Sequence, residues 1–363
     1  MFERTRQWIE VRLGIKEIID SGLREFYLPR GAGFSSTLGA VALVAFLIQA
    51  ISGIFLLMYY IPDTAHAFMS VRIIMNKVPY GWLFRSIHMM GSNIILAVLF
   101  LHLVVTFYRI SYKKPRELTW ISGAIMFFLI ILFCISGSLL SWNQLSYWST
   151  TIVTYIPTLI PGIGGRIAEF IRGGQYVSGS TLNRFFAFHV AFLPFTLVCM
   201  AAFHLFFIGR TGFSTNPGSS PEGDSEPQSV YKREINANGM PFYPDYLLKA
   251  LVLVMVYLAS IFFIMTFFPG LFQPELATVQ ADPAMTPDVI RPPWYFLAPY
   301  QIVKLIPNKF LGISAILILV FIFVFWPFID GVNERNISKR PLLRVIFILS
   351  ITVWLILTVW GGY

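Results

Sequence analysis

The chain has 363 residues, of which 56% are hydrophobic and only 12% are charged, and its formal net charge is +9. Soluble domains carry about 25% charged residues, so the composition excludes an ordinary soluble enzyme, a disordered chain and a disulfide scaffold. Its long continuous apolar runs instead predict an all-α membrane protein that crosses the bilayer several times.

Seven apolar runs are long enough to cross about 30 Å of hydrocarbon, which takes about 20 helical residues. They cover residues 37–60, 83–107, 119–141, 185–208, 246–268, 310–329 and 342–360. Residues 1–36 mix basic and apolar side chains and predict an amphipathic helix on the cytoplasmic membrane surface. Of the 27 Lys and Arg residues, 18 fall on the N-terminal side of this topology. That bias predicts a cytoplasmic N-terminus and an external C-terminus.

The polar stretch at residues 211–244 is rich in Ser, Pro, Gly and Glu and predicts a cytoplasmic linker. It separates a four-helix part, residues 37–210, from a three-helix part, residues 245–363. Two long external connections, residues 142–184 and 269–309, are candidates for functional loops.

Four of the five histidines form two pairs. His88 and His102 are 14 residues apart on the second predicted helix, and His189 and His204 are 15 apart on the fourth. At about 100° per residue, the members of each pair lie about 40° and about 60° apart around their helix, on one face. Because both helices enter from outside, they offer two imidazoles at an outer level and two at an inner level. The pattern predicts two bis-histidine metal sites, with all four histidines as ligands.

Four glycines repeat the same step, Gly39 and Gly53 on the first helix and Gly123 and Gly137 on the third. We interpret them as room for a flat macrocycle between the helices, with small-residue helix packing as the alternative. Arg85, one turn before His88, is a candidate partner for a haem propionate. The remaining histidine, His66, has no partner histidine and is predicted to be a surface residue. The two cysteines, Cys134 and Cys199, form no haem-attachment or metal motif.

Several segments then carry a family resemblance. The sequence resembles cytochrome b, the dihaem membrane subunit of Rieske/cytochrome b quinol-oxidising complexes, from about residue 8 to the C-terminus. Within that family it is most similar to the split photosynthetic form, here with the four-helix cytochrome fused to its subunit IV. The segments are YGWLFRSIH (80–88), KKPRELTW (113–120), STLNRFFAFH (180–189), ADPAMTP (281–287), PPWYFLAPYQI (292–302) and LIPNKFLG (305–312).

The resemblance implies a low-potential outer haem on His88 and His189 and a high-potential inner haem on His102 and His204. It also implies a quinol-oxidation site beside the outer haem, framed by residues 292–295 and the connection 142–184. A quinone-reduction site is implied near the inner haem. The candidate residues there are Arg210, Asp20 and Arg116.

The sequence departs from the family pattern at three places. The usual Pro-Glu-Trp-Tyr motif is Pro292-Pro293-Trp294-Tyr295, and Pro293 cannot accept a proton as the glutamate is thought to do. Asp288, the nearest upstream acid, is a candidate substitute. Thr37 stands where the split form carries a cysteine for a covalent c-type haem, so two b-type haems and no covalent haem are predicted. Residues 141–143 read Ser-Trp-Asn at the end of the third helix, where the family has Pro-Trp.

The function implied by the resemblance is a respiratory or photosynthetic quinol:cytochrome c-type oxidoreductase subunit coupled to proton translocation. The expected partners are a Rieske iron–sulfur protein, a c-type cytochrome, quinone and a second copy of the complex, in a bacterial cytoplasmic membrane, and no nucleic acid. The alternative is a dihaem membrane anchor of a non-Rieske complex, for example with a multihaem cytochrome c. A seven-helix transporter or photoreceptor is disfavoured because the spans contain no Asp or Glu and the last has no lysine.

Overall fold

The computed structural model describes residues 27–29, 33–214 and 239–363. The predicted amphipathic segment 1–36 and the linker 211–244 therefore lie mostly outside the described residues. The structure is an all-α membrane fold, as predicted. Its helices are α1 Leu38–Leu57, α2 Ala67–Asn76, α3 Gly81–Tyr108, α4 Glu117–Leu139, α5 Gln144–Tyr155, α6 Gly164–Arg172, α7 Gly179–Thr211, α8 Phe242–Phe267, α9 Leu297–Leu305, α10 Lys309–Val324, α11 Trp326–Ile329 and α12 Pro341–Gly361.

Short elements complete the described chain. Strands β1 (Tyr27–Leu28) and β2 (Met240–Pro241) pair antiparallel. Five 3₁₀ segments lie at helix ends or in connections, at Phe34–Thr37, Ile156–Leu159, Glu275–Thr278, Trp294–Phe296 and Ile337–Lys339.

Six described helices are long and apolar enough to span a membrane: α1, α3, α4, α7, α8 and α12. Each overlaps one predicted span. The sixth predicted span, residues 310–329, is a 16-residue helix, α10, followed by the four-residue helix α11. Pro327 lies in α11, and proline lacks the N–H that a continuous helix needs, which accounts for the break near Phe325. A count of seven spans stays a prediction.

The main core lies where α1, α3, α4, α7 and α8 meet. It is apolar, since no water is available inside a bilayer to hydrate polar groups. Its buried members include Ala45, Leu96, Ile130, Leu197 and Ile261. Helix α8 therefore packs directly on the four-helix part.

Two further clusters close the ends of the bundle. We call the end that carries His88 and His189 the outer end and the opposite one the inner end, following the predicted orientation. At the outer end, Trp142 and Leu182 bring the connection 142–184 onto the helices. At the inner end, Tyr112 and Trp120 pack with residues from α10 to α12.

Candidate functional site

The structure brings the histidines together in the two predicted pairs. At the outer end, the ring centres of His88 on α3 and His189 on α7 are 6.1 Å apart, with the ring planes at 78°. At the inner end, His204 on α7 and His102 on α3 are close enough to interact electrostatically. The two levels are about 21 Å apart along α3, since 14 residues rise 1.5 Å each.

A π turn in α7 explains the unequal spacing of the two pairs. It covers Phe188–Phe192, and the N–H of Leu193 bonds the carbonyl oxygen of Phe188. A π turn contains one residue more than an α turn. It therefore compensates for the one residue by which the His189–His204 spacing of 15 exceeds the His88–His102 spacing of 14. The sequence prediction used ideal α geometry and left these two histidines about 60° apart around the helix. Pro194 follows at once and cannot donate a backbone hydrogen bond.

The outer pair has the separation of a bis-histidine metal site. Two metal–nitrogen bonds of about 2 Å, with about 1 Å from each nitrogen to its ring centre, place the ring centres about 6 Å apart. Among the described residues, no three or more His, Cys, Asp or Glu side chains cluster to hold a metal ion. The paired imidazoles therefore fit a cofactor that supplies the other ligands itself, as a haem does.

Each of the four predicted glycines faces a histidine ring on the neighbouring helix. A Cβ atom built at each position would meet the ring Cε1 atom at 3.5 Å for Gly39 and His102, 3.1 Å for Gly53 and His88, 3.2 Å for Gly123 and His204, and 2.5 Å for Gly137 and His189. The sequence argument reserved this space for a macrocycle, but the imidazoles themselves lie against the glycines. The glycines thus let α1 approach α3, and α4 approach α7, at the level of each ligand.

Sequence reasoning missed three serines that contact the same histidines. The Oγ–Nδ1 distances are 3.0 Å for Ser52 and His88, 2.8 Å for Ser122 and His204, and 3.1 Å for Ser136 and His189. The backbone carbonyl oxygen of Gln49 also lies 3.1 Å from Nδ1 of His88. A signal was present, because each of these serines directly precedes one of the glycines. The fourth glycine, Gly39, is preceded by Leu38 instead of a serine.

A cavity of about 1940 Å³ opens at the outer end. Both outer histidines line it, and so does residue Arg85, whose Nη2 lies 3.4 Å from the hydroxyl oxygen of Ser141. No ion-pair partner of Arg85 occurs in the part of the chain that the structure describes. A guanidinium in this position is available to pair with an anionic edge of a bound group.

The predicted quinol motif lines the same cavity. Pro292, Pro293, Trp294 and Tyr295 all contribute to its wall. The indole nitrogen of Trp294 donates to Oδ1 of Asn93 at 3.0 Å. The fold therefore places the motif and the outer histidine pair around one space.

The charged side chains that line the described part of this cavity are all basic. Among the described residues, no Asp or Glu lines the cavity, while Arg72, Arg85, Arg291 and Lys309 do. Asp288, the candidate substitute for the missing glutamate, is exposed and lies outside the lining.

Tyr295 lies two residues after the substituted position and lines the cavity. Burial raises its pKa, and the thiol of Cys134 beside it acts in the same direction. Tyr295 therefore stays protonated and can donate a hydrogen bond to a ligand.

The Ser141–Asn143 segment, where the third family departure falls, joins the two external connections. Trp142 has a left-handed backbone (φ 44°), and Asn143 caps α5 by accepting from the backbone N–H of Ser146 at 2.9 Å. The backbone N–H of Ala281 donates to the carbonyl oxygen of Trp142 at 3.1 Å. The Ser141–Asn143 segment thus holds Ala281 against the end of α4. Ala281 belongs to the connection 269–309, which also carries residues 292–295.

The inner-end candidates are only partly described. Arg116 is buried, and its Nε donates to the carbonyl oxygen of Gly212 at 3.1 Å, so it lies at the end of α7 near Arg210. Asp20 lies outside the described residues. His66 is exposed as predicted, but its Nδ1 pairs with Oδ2 of Asp63 at 2.7 Å.

The comparisons with known proteins identify the family. The model described as Cytochrome b/b6/petB matches residues 24–212, and the one described as Cytochrome b(C-terminal)/b6/petD matches residues 280–363. The chain therefore belongs to the cytochrome b/b6 family. This confirms the resemblance seen in the sequence motifs and the assignment of the chain to membrane electron transport.

Similar proteins cover nearly the whole chain. Cytochrome b of Allochromatium vinosum is 33% identical over 345 residues, 93% of this chain and 83% of that protein. Cytochrome b of Schizosaccharomyces japonicus is 35% identical over 334 residues, 92% and 82% of the two chains. A solved structure described as hyperthermophilic respiratory Complex III matches with a TM-score of 0.89 and 36% identity, over 98% of this chain and 91% of that one.

Proposed function

We propose that this chain is the cytochrome b subunit of a quinol:cytochrome c-type oxidoreductase. It takes electrons from quinol at the outer end and carries one of each pair across the membrane by way of two b-type haems. One observation carries the proposal: His88 and His189 face each other at 6.1 Å in a cavity that also reaches residues 292–295.

Two non-covalent b-type haems are proposed, one held by His88 and His189 and the other by His102 and His204. When bound, each haem supplies an iron that takes up and releases a single electron. The chain's own residues set its depth and surroundings. The four glycines let the ligand rings reach their positions, and Arg85 offers a positive charge at the cavity wall. Thr37, in place of a cysteine, supports the absence of a covalent c-type haem.

Quinol is proposed to bind in the outer cavity, beside the 292–295 motif. Tyr295 offers a protonated hydroxyl to a quinol oxygen, and Trp294 is held in place by Asn93. Because Pro293 cannot accept a proton, release to the outside needs another group. Asp288 stays the candidate nearest in sequence. Quinone reduction, with proton uptake, is proposed at the inner end near Arg116, Arg210 and Asp20.

The proposed assembly follows from the family and from the architecture. A Rieske iron–sulfur protein and a c-type cytochrome accept the outer electrons, and the complex is a homodimer in a bacterial cytoplasmic membrane. The N-terminus is cytoplasmic and the C-terminus external. The chain divides into an amphipathic segment (1–36), a dihaem domain (37–210), a linker (211–244) and a subunit-IV-like domain (245–363). The match to a respiratory Complex III supports this assembly.

The test is haem counting in the purified complex with a matched histidine control. A pyridine haemochrome assay and an optical redox titration should find two b haems per chain and no covalent c-type haem on it. His189→Ala should lose one haem and the quinol-oxidation activity. His66→Ala should keep both haems and the activity, because His66 is an exposed loop residue. A wild-type complex without haem b, or a His189→Ala variant with both haems, contradicts the proposal.

A second candidate function is a dihaem quinone-reactive anchor of a non-Rieske complex. It is favoured by Pro293 and by the absence of carboxylates from the described lining of the outer cavity. The iron–sulfur signal in the electron paramagnetic resonance spectrum of the purified complex separates the two functions. A Rieske-type signal supports the leading proposal, and its replacement by multihaem cytochrome c spectra supports the second.

A further inference from the structure

Each of the three serines beside the haem-ligand candidates has a backbone carbonyl that can accept its proton. The hydroxyl of Ser52 donates to the carbonyl oxygen of Ile48 at 2.8 Å, one turn earlier in its own helix. Ser122 and Ser136 donate in the same way, to the carbonyl oxygens of Thr119 at 3.0 Å and Leu132 at 2.8 Å. A serine hydroxyl has a single hydrogen, so in this arrangement each oxygen turns its lone pairs toward the imidazole.

This arrangement corresponds to one tautomer of the three histidines. At His88 a second contact supports it, because the carbonyl oxygen of Gln49, which can only accept, lies 3.1 Å from Nδ1. Where the serine oxygen accepts, Nδ1 of the imidazole carries the hydrogen and donates it. Nε2 of His88, His189 and His204 is then free to bind a metal. Such a second hydrogen bond also makes the imidazole a more basic ligand, because it draws the ring toward its anionic form.

His102 differs from the other three histidines. The residue before its facing glycine, Gly39, is the buried Leu38, which has no polar side-chain atom. Among the described residues, the His102 ring has no hydrogen-bond partner, whereas the rings of His88, His189 and His204 each have a serine partner. The outer pair therefore has two serine-anchored ligands and the inner pair has one.

We propose that Ser52, Ser122 and Ser136 are positioning residues that lower the reduction potential of the haem on their side, and that Leu38 leaves the inner haem with the higher potential. The more basic imidazole stabilises the oxidised iron, so two anchored ligands favour oxidation more than one does. The inference rests on the proposed function, because it needs both haems to be present. It adds a cause, within this chain, for unequal potentials at the two levels.

The test is a potentiometric titration of serine variants in the purified complex. Ser136→Ala should raise the midpoint of the outer haem alone, by up to a tenfold change in its reduced-to-oxidised ratio, which is 59 mV for a one-electron couple. Ser136→Thr keeps the hydroxyl and should restore the wild-type midpoint. The matched control is Ser260→Ala on α8, whose serine bonds only its own helix, to Val256 at 2.8 Å, and which should move neither midpoint.

The reciprocal variant adds the missing acceptor. Leu38→Ser should lower the midpoint of the inner haem and leave the outer one unchanged, so the test does not depend on the stability of the alanine variant. If both haems are present and neither Ser136→Ala nor Leu38→Ser shifts a midpoint, the inference is overturned while the proposed function stands. A wild-type complex without two haems overturns the proposed function and, with it, the inference.

Discussion

The glycine–histidine contacts are not equally tight. A Cβ at Gly137 would lie 2.5 Å from Cε1 of His189, closer than carbon atoms approach without movement, whereas one at Gly39 would lie 3.5 Å from Cε1 of His102. Helical alanine is about 1 kcal/mol more favourable than glycine, so ring displacement, not helix propensity, is the adverse effect. The same substitution therefore has different consequences at the two levels.

We predict that Gly137→Ala lowers the content of the outer haem. The added methyl group displaces His189 from its place opposite His88, and the ligand geometry of the outer pair is lost. Haem content per chain, measured by the pyridine haemochrome assay and normalised to protein, should fall from two toward one.

Gly39→Ala is the matched control for this prediction. Its methyl group would make an ordinary van der Waals contact with the His102 ring, so haem content should stay at two. Equal loss in both variants, or full outer haem in Gly137→Ala, would contradict the steric argument.

At the scale of the elements, a buried arginine locks the external helices α5 and α6 together. The Nε of Arg172, near the end of α6, donates to Oγ1 of Thr154 at 2.7 Å, and its Nη2 donates to the carbonyl oxygen of Thr151 at 3.2 Å. Its Nη1 donates to the carbonyl oxygen of Gln175 at 2.9 Å. The guanidinium thus satisfies three acceptors that lie around its planar fork. The donors of a lysine all sit on one nitrogen and do not reproduce this geometry. This pairing fixes α5, several of whose residues line the outer cavity.

We predict that Arg172→Lys loosens the external connection without unfolding the bundle. Loss of the fork leaves buried acceptors unsatisfied, which costs about 1–3 kcal/mol of local stability. Amide hydrogen exchange of residues 151–178 should accelerate accordingly, while exchange in α4 stays unchanged.

The control for this variant is Arg166→Lys, at an exposed position of the same helix. Exchange there should match the wild type. The locking role of Arg172 fails if both variants exchange alike.

The elements also show what the sequence could predict. Six long apolar runs became helices near their predicted bounds, because a spanning segment must bond its own backbone. Helix α7 begins at Gly179 instead of residue 185, since Ser178 and Thr181 form a capping box that extends it. The π turn at Phe188–Phe192 and the break before Pro327 depend on local backbone choices that hydropathy does not register.

The residues of the candidate site also fall into those that the sequence could predict and those that it could not. The pairing of the four histidines across α3 and α7 follows from helical spacing, so their proximity was predictable, while their role as ligands stays a proposal. The serine contacts depend on side-chain direction across two helices, and they were not predicted. The place of residues 292–295 beside the outer histidine pair depends on how a long connection folds back, so it was expected from the family resemblance alone and not from helical spacing.

At the scale of the whole molecule, one buried carboxylate joins the two parts of the chain at the inner end. Asp330, before α12, accepts from Arg340 at 2.6 Å and from the hydroxyl of Tyr112 at 2.7 Å, and pairs with Nζ of Lys113 at 2.9 Å. Burial alone favours the neutral acid, but the hydrogen bonds from Arg340, Tyr112 and Lys113 outweigh it and hold the pKa of Asp330 well below its usual range. The carboxylate therefore ties the connection after α3 to the connection before α12.

We predict that Asp330→Asn destabilises the complex by about 3 kcal/mol at pH 7, because buried cations lose their counter-charge. The stabilisation is present above the unfolded-state pKa of about 3.9 and is lost as the pH falls through the lower folded-state value. The difference in Tm between wild type and variant, measured by thermal unfolding in detergent, should therefore be large at pH 7 and shrink below about pH 4.

Glu334→Gln supplies the control within the same connection. Glu334 is a half-exposed partner of Lys339 at 3.7 Å, and such surface pairs contribute little to stability. Glutamine keeps the Oε1 atom that accepts from the backbone N–H of Asn336 at 2.8 Å. Its Tm should match the wild type at both pH values. A pH-independent difference for Asp330→Asn would show that packing, and not the charge of Asp330, stabilises the inner end.

The π turn of α7 has a consequence for the history of such chains. A descendant that loses one residue there can return to a continuous α-helix with both ligands still facing the same neighbour, because the turn and the extra residue disappear together. We expect the loss of a single codon at this place to be tolerated, whereas a loss elsewhere between His189 and His204 would rotate one imidazole by about 100°. Depth in the bilayer, and not separation along the chain, is the quantity that selection can preserve.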